Sequence, residues 1–140
     1  MRAAVFYGIG DLRIEERAEP QVTPGNVLVK VAACGICGTD RHIYQGEFET
    51  HPPLVIGHEF AGHVLAVGAG VKDLAVGDAV AVDPNMPCGT CRPCRRGKIH
   101  LCERLWAVGV DQDGGFAELS LVPQQQCYRL PATLPIEEGA

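Results

Sequence analysis

The sequence predicts a mainly β domain, a barrel or sandwich of short strands rather than a bundle of helices. Two observations support this prediction. The 140 residues include 17 glycines and 10 prolines, which divide the chain into short segments. Between these breaks lie seven runs rich in Val, Ile, Leu and Ala, the composition typical of strands; they are Arg2–Phe6, Leu12–Glu16, Asn26–Ala33, Gly62–Val67, Ala79–Val82, Gly115–Val122 and Cys127–Leu130.

Helices are predicted at two places. A short helix follows Gly38, with Thr39 or Asp40 as its N-cap, and ends near Gln45, because Thr and Asp satisfy the free N–H groups of a first turn. A second helix is predicted to begin at Pro135–Glu138, where a proline and two acids suit the first turn.

Composition and charge exclude several classes of function. Seventeen acidic residues against 12 basic ones give a net charge of -5, which argues against binding to the nucleic-acid backbone. No apolar run approaches the ~20 residues that cross a bilayer, and the first residues lack the apolar segment of a signal peptide. We therefore expect one domain, residues 1–140, that is cytoplasmic and binds neither a membrane nor a nucleic acid.

The strongest motif is a cluster of four cysteines with gaps of two, two and seven residues: Cys88, Cys91, Cys94 and Cys102. Seven cysteines without a secretory signal favour metal binding in a reducing compartment over disulfides. Four thiolates within fifteen residues can surround one Zn²⁺ and leave no open coordination position, so we expect a structural site. The last gap differs from the spacing of ferredoxin-type iron–sulfur clusters. We expect the nearby cations to offset the negative charge; these are Arg92, Arg95, Arg96 and Lys98.

Two other segments carry potential metal ligands beside glycines, Cys34–His42 and Gly57–Glu59. Together they offer a thiolate, an imidazole and carboxylates, an incomplete set that would leave a position for water or substrate, as a catalytic zinc requires. Asp40 is a candidate for orienting the ring of His58. Cys34 and Cys37 also form a CxxC pair, but a redox role expects a βαβ context that this sequence lacks. From the residues alone, a second zinc and ordinary hydrogen bonding both stay open.

A series of motifs along the chain favours the second zinc site over ordinary hydrogen bonding. In order along the chain they are Gly35–His42, Pro53–Gly62, Val76–Val80, the four cysteines and Asp113–Glu118. In this order, over nearly the whole chain, they resemble the N-terminal, GroES-like part of zinc-dependent medium-chain alcohol and polyol dehydrogenases. Asp83–Asn85 is most similar to sorbitol- or arabitol-type members. The resemblance implies a mainly β fold, a GroES-like partly open β-barrel with short helices and a zinc lobe formed by the four cysteines.

The resemblance also implies roles for individual residues. Cys37, His58 and Glu59 match the catalytic zinc site, and Asp40 matches the carboxylate behind the histidine. Thr39 matches the hydroxyl that passes on the substrate proton, and His42 matches the end of that relay. The four clustered cysteines match the structural zinc ligands. The remaining candidates are assigned to packing or the surface (Cys34, Cys127, His51, His63, His100, Trp106) or to the substrate pocket (Tyr44, Phe48, Phe60).

By this resemblance, the parent protein oxidises an alcohol or polyol to a ketone or aldehyde by hydride transfer to NAD or NADP, and forms dimers or tetramers. No G-x-G-x-x-G follows a strand here. We therefore expect the dinucleotide-binding domain and a further zinc ligand to be absent from this chain, and these residues alone to be inactive. A non-catalytic zinc module that contacts partners is the alternative. A zinc-free reductase on the same scaffold is disfavoured by the Cys37–His58 pair and the four cysteines.

Overall fold

The computed structural model describes residues 1–140 and is built mainly from strands. No helix in it has the length and apolar character needed to cross a membrane. The two α-helices are α1, Gly38–Gln45, and α2, Arg92–Arg95. The ten strands are, in chain order, β1 Arg2–Gly8, β2 Asp11–Glu16, β3 Asn26–Gly35, β4 Leu54–Val55, β5 Glu59–Val67, β6 Ala79–Val82, β7 Asn85–Met86, β8 Trp106–Ala107, β9 Leu119–Pro123 and β10 Cys127–Arg129.

The strands pair antiparallel in three sheets, with the orders β2-β1-β4, β10-β6-β5-β3-β9 and β7-β8. Residues 116–118 join the first two sheets. The Ala4 N–H donates to the Phe116 carbonyl at 2.8 Å, and the Val31 N–H donates to the Glu118 carbonyl at 3.0 Å. These bonds connect the two sheets without a continuous closed ladder. The predicted mainly β, partly open arrangement is confirmed.

Of three apolar clusters in the interior, the two largest contain eight and five buried residues. The larger lies on the five-stranded sheet, where alternate residues of β3, β5 and β6 point inward; it consists of Val27, Val29, Phe60, Val64, Val80, Val82, Val108 and Val122. The smaller packs α1 against the three-stranded sheet and consists of Phe6, Ile43, Leu54, Ile56 and Val110. Buried side chains anchor both α1 and the start of β5. The residues at the beginning of these two elements therefore hold fixed positions.

The structure corrects the predicted ends of several elements. Helix α1 has Cys37 as its N-cap, rather than Thr39 or Asp40. The reason is that Asp40 acts from within the first turn, where its carboxylate accepts the Cys37 N–H at 2.8 Å. The predicted C-terminal helix is a short 3₁₀ segment, Ile136–Gly139. The run predicted as a strand from Gly115 becomes a regular strand only at Leu119, because residues 116–118 bond to both sheets.

Candidate metal centres

The four clustered cysteines converge in the structure. Their sulfur atoms all lie within 4.8 Å of one another, and those of Cys91 and Cys102 are 4.0 Å apart. Four Zn–S bonds of ~2.3 Å in a tetrahedron place the sulfurs about 3.8 Å apart. The observed spacing therefore fits a zinc ion with only a small contraction.

Local backbone geometry brings these sulfurs together. The Cys91 N–H donates to the sulfur of Cys88 at 3.4 Å, and the Cys88 N–H donates to that of Cys102 at 3.3 Å. Hydrogen bonds from Thr90 and Cys91 lower the pKa of Cys88. A lowered pKa favours the thiolate, which is the form that binds a metal.

The cation that contacts this cluster is one that the sequence reasoning missed. Arg104 donates from Nη2 to the sulfur of Cys88 at 3.7 Å. The cations predicted to offset the charge, Arg92, Arg95, Arg96 and Lys98, are exposed. Arg104 follows the last of the four cysteines in the sequence, and the fold of the loop places its side chain beside Cys88. His100 is exposed and is not part of the cluster, as expected.

A second group of ligand atoms forms from distant parts of the chain. The sulfur of Cys37, a ring nitrogen of His58 and a carboxylate oxygen of Glu59 lie within 4.8 Å of one another. Cys37 caps α1, whereas Glu59 begins β5, which pairs with β3 in a register that sets Glu59 opposite Gly35. A thiolate, an imidazole and a carboxylate are all zinc ligands, and three of them leave a fourth position open.

Asp40 lies behind this group and is only 3% exposed. Its carboxylate accepts the N–H groups of Cys37 at 2.8 Å and Gly57 at 3.2 Å. Its Oδ1 is 3.3 Å from Nδ1 of His58, although the angle is poor for a hydrogen bond and Nδ1 has no aligned partner. The contact is an ion pair when the ring of His58 is protonated. Asp40 thus links both segments of the site.

Contacts among these residues shift the pKa of each titratable group that they involve. Burial disfavours the charged form of Asp40, but contacts with His58 and the Cys37 N–H outweigh it and keep the pKa of Asp40 below its usual value. Asp40 raises the pKa of His58 to about 9 in the metal-free protein. A hydrogen bond from the Thr39 backbone lowers the pKa of Cys37. The lowered pKa favours the thiolate of Cys37, whereas the raised pKa of His58 favours the imidazolium, so a metal that binds there must displace the ring proton.

A cleft of about 560 Å³ lies beside the second group, and His58 and Glu59 form part of its wall. Its walls combine apolar and polar side chains, so it suits a ligand that carries both kinds of surface. The residues that line it are Thr39, Phe48, Glu49, His58, Glu59, Pro84, Asn85, Leu105, Ala107, Val110 and Asp111.

Of the three predicted pocket residues, only Phe48 lines this cleft. The prediction for Phe60 is wrong, since this residue is 1% exposed and belongs to the core. Its position in β5 places its side chain on the face of the strand that points inward. The prediction for Tyr44 is also wrong, because its hydroxyl donates to the Gly10 carbonyl and the residue is not part of the cleft lining. His42 is exposed, and its Nδ1 lies 2.6 Å from a carboxylate oxygen of Glu47.

The residues assigned to packing or the surface lie outside both groups. Cys34 and Cys127 pack against the larger core cluster, and burial raises the pKa of each thiol to about 12. His51 and His63 are exposed. Trp106, on β8, pairs with Met86 of β7, two residues before the first cysteine of the cluster.

Comparison with known proteins agrees with this geometry. Residues 23–132 match the family model of the alcohol dehydrogenase GroES-like domain. This chain belongs to that family. Both groups of metal ligands fall within the matched residues of the GroES-like domain, and so do Thr39 and Asp40.

Individual relatives of the GroES-like domain are longer proteins. L-threonine 3-dehydrogenase of Pyrococcus abyssi is 46% identical over 122 residues, which are 84% of this chain and 35% of that protein. Galactitol-1-phosphate dehydrogenase of Escherichia coli superposes with a TM-score of 0.93 at 38% identity, over 99% of this chain and 40% of its own. A cobalt- and zinc-bound thermostable alcohol dehydrogenase of Pyrobaculum aerophilum superposes with a TM-score of 0.90 at 33% identity, over 99% and 43%. The chain therefore spans well under half the length of these relatives.

Proposed function

We propose that residues 1–140 form the zinc-binding catalytic domain of an NAD(P)-dependent alcohol or polyol dehydrogenase. The observation that carries the proposal is the convergence of Cys37, His58 and Glu59, with their ligand atoms within 4.8 Å of one another, next to a cleft that His58 and Glu59 line. The names of the relatives support it, since one acts on threonine, one on a polyol phosphate, and one is a zinc-bound alcohol dehydrogenase.

In this proposal the chain holds two zinc ions with different roles. Cys88, Cys91, Cys94 and Cys102 hold a structural zinc, because four thiolates leave no open position. Cys37, His58 and Glu59 hold a catalytic zinc that, when bound, polarises the alcohol oxygen and acidifies its proton. Asp40 keeps the ring of His58 in place and joins it to the helix that carries Cys37.

The remaining residues of the site bind substrate and move its proton. Thr39 is on the cleft wall, with its Oγ1 3.9 Å from the sulfur of Cys37, so its hydroxyl can accept the alcohol proton. His42, one helical turn further on, is exposed and passes the proton to solvent. A bound nicotinamide would supply the acceptor for the hydride of the alcohol carbon.

The cleft also favours a class of substrate. The lining combines the polar residues Glu49, Asn85 and Asp111 with the apolar residues Phe48 and Leu105. Polar groups that fit a substrate hydroxyl discriminate against analogues lacking it, since they would be left unpaired. We propose a small alcohol with a second hydroxyl or other polar group.

Cobalt substitution tests this proposal without the nucleotide. Co²⁺ in place of zinc gives d–d absorption bands that respond when a ligand enters the open position of the Cys37 site. We expect small polyols to shift these bands in the wild-type chain and to leave them unchanged in Cys37→Ser. Bands that do not respond to any alcohol or polyol would contradict a catalytic role and favour a structural zinc module that contacts partners.

A further inference from the structure

Arg104 occupies an unusual position beside the four-cysteine cluster. Its Nη2 donates to the sulfur of Cys88 at 3.7 Å and to Oγ1 of Thr90 at 2.7 Å. Its backbone N–H donates to the sulfur of Cys102 at 3.4 Å. One residue therefore contacts the first and last cysteines of the cluster, which are separated by fourteen positions in sequence.

These contacts form a small closed network. The Thr90 hydroxyl donates to the sulfur of Cys88 at 3.7 Å while it accepts from Arg104. The guanidinium is thus held by a neutral oxygen and directed at a thiolate. The cations Arg92, Arg95, Arg96 and Lys98 make no hydrogen bond or ion pair through their side chains, although they are close in sequence.

The contact between Arg104 and Cys88 suits the charge of a four-thiolate zinc site. Four thiolates and Zn²⁺ carry a formal charge of about -2, which nearby cations and N–H donors stabilise. Charge-assisted hydrogen bonds are stronger than neutral ones. The lobe has little apolar core of its own, since Ile99, Leu101 and Leu105 are 54%, 56% and 43% exposed. The fixed position of the sulfurs must then depend on the metal and on the hydrogen bonds around it.

We propose that Arg104 is a positioning residue for the four-cysteine site, which clamps the Cys88 thiolate to Thr90 and so slows loss of the zinc. This inference rests on the proposed structural zinc. The proposal distinguishes Arg104 from the four cations between the cysteines. Those cations add positive charge near the lobe but make no hydrogen bond to a sulfur.

Zinc release to a chromogenic chelator tests the proposal with a matched control. Arg104→Met and Arg96→Met each remove one positive charge from the same lobe, but only the first removes a contact with sulfur. We expect zinc to leave Arg104→Met about tenfold faster, the low end for partners of metal ligands, and Arg96→Met at the wild-type rate. Arg104→Gln, which keeps a polar side chain but removes the charge that faces Cys88, should also release zinc faster; it decides the question if Arg104→Met does not fold.

A spectroscopic readout distinguishes hydrogen bonding to sulfur from a general effect on folding. A donor to a thiolate lowers the energy of the sulfur lone pairs, so its removal shifts the S→Co²⁺ charge-transfer band of the cobalt form to longer wavelength. We expect that shift in Arg104→Met and none in Arg96→Met. Equal release rates and equal bands in the two variants would overturn the role of Arg104 while the zinc site stands. A wild-type lobe that holds no zinc would overturn the proposed site and this inference with it.

Discussion

Asp40 Oδ1 lies 3.3 Å from Nδ1 of His58, and the same carboxylate accepts the N–H of Cys37. One buried side chain thus joins the helix that follows the thiolate to the segment that supplies the imidazole. Because its carboxylate contacts both segments, we expect Asp40 to hold Cys37 and His58 close to each other.

Replacing Asp40 with Asn tests this role. The substitution preserves shape but removes the charge that faces His58, and it puts an N–H₂ group where a backbone N–H now donates. We expect a 10- to 100-fold loss of cobalt affinity at the Cys37 site, measured by titration, with the four-cysteine site unaffected. Asp73→Asn, which removes an exposed carboxylate elsewhere, should bind as the wild type does. Unchanged affinity in Asp40→Asn would show that the carboxylate does not support the site.

The two phenylalanines predicted to line the substrate pocket should behave differently. Phe60 is 1% exposed within the core and Phe48 is 47% exposed beside the cleft. Phe60→Ala should lower the free energy of unfolding by about 3–5 kcal/mol, since it leaves a cavity. Phe48→Ala should change it by less than about 0.5 kcal/mol. Chemical denaturation of both variants measures the difference, and similar losses would place the two rings in similar surroundings.

Thiol alkylation should distinguish the two partly buried cysteines, Cys34 and Cys127, from a free thiol. With a pKa of about 12, Cys34 and Cys127 are ionised at pH 8 in only about one molecule in ten thousand, against about a quarter for a free thiol. Their thiolate fraction rises tenfold for each pH unit until about pH 12. Mass spectrometry after brief alkylation should find both unmodified in the folded protein and modified in denaturant. Fast labelling of either in the folded state would contradict its burial.

The four-cysteine lobe should depend on its metal more than the rest of the domain does. Its surroundings expose Ile99, Leu101 and Leu105, and metal binding to such a site contributes directly to folding. After treatment with a strong chelator, trypsin should cut first at Arg95, Arg96 and Lys98, before sites in β1 or β3. Equal resistance of the lobe with and without metal would contradict a structural zinc there.

The sequence predicts the parts of this molecule that depend on local pattern. The seven strand runs, helix α1 and the four-cysteine cluster all follow from composition, capping residues or close spacing. Cys37 and His58 are brought together by sheet pairing over long range, so their convergence was implied by family resemblance rather than by spacing. Arg104 was missed for a related reason, since its contact with Cys88 depends on the closed lobe. Phe60 points inward because of the register of β5, and the apolar composition of this segment does not determine that register.

Zinc content per chain tests the central claim most directly. Elemental analysis of purified protein should find two zinc ions in the wild type, one in Cys37→Ser and one in Cys102→Ser, with Cys127→Ser as the control that keeps two. All four proteins should remain folded by circular dichroism, apart from the loss of the lobe in Cys102→Ser. A single zinc in both the wild type and Cys37→Ser would contradict the account, because only the structural site would then bind metal.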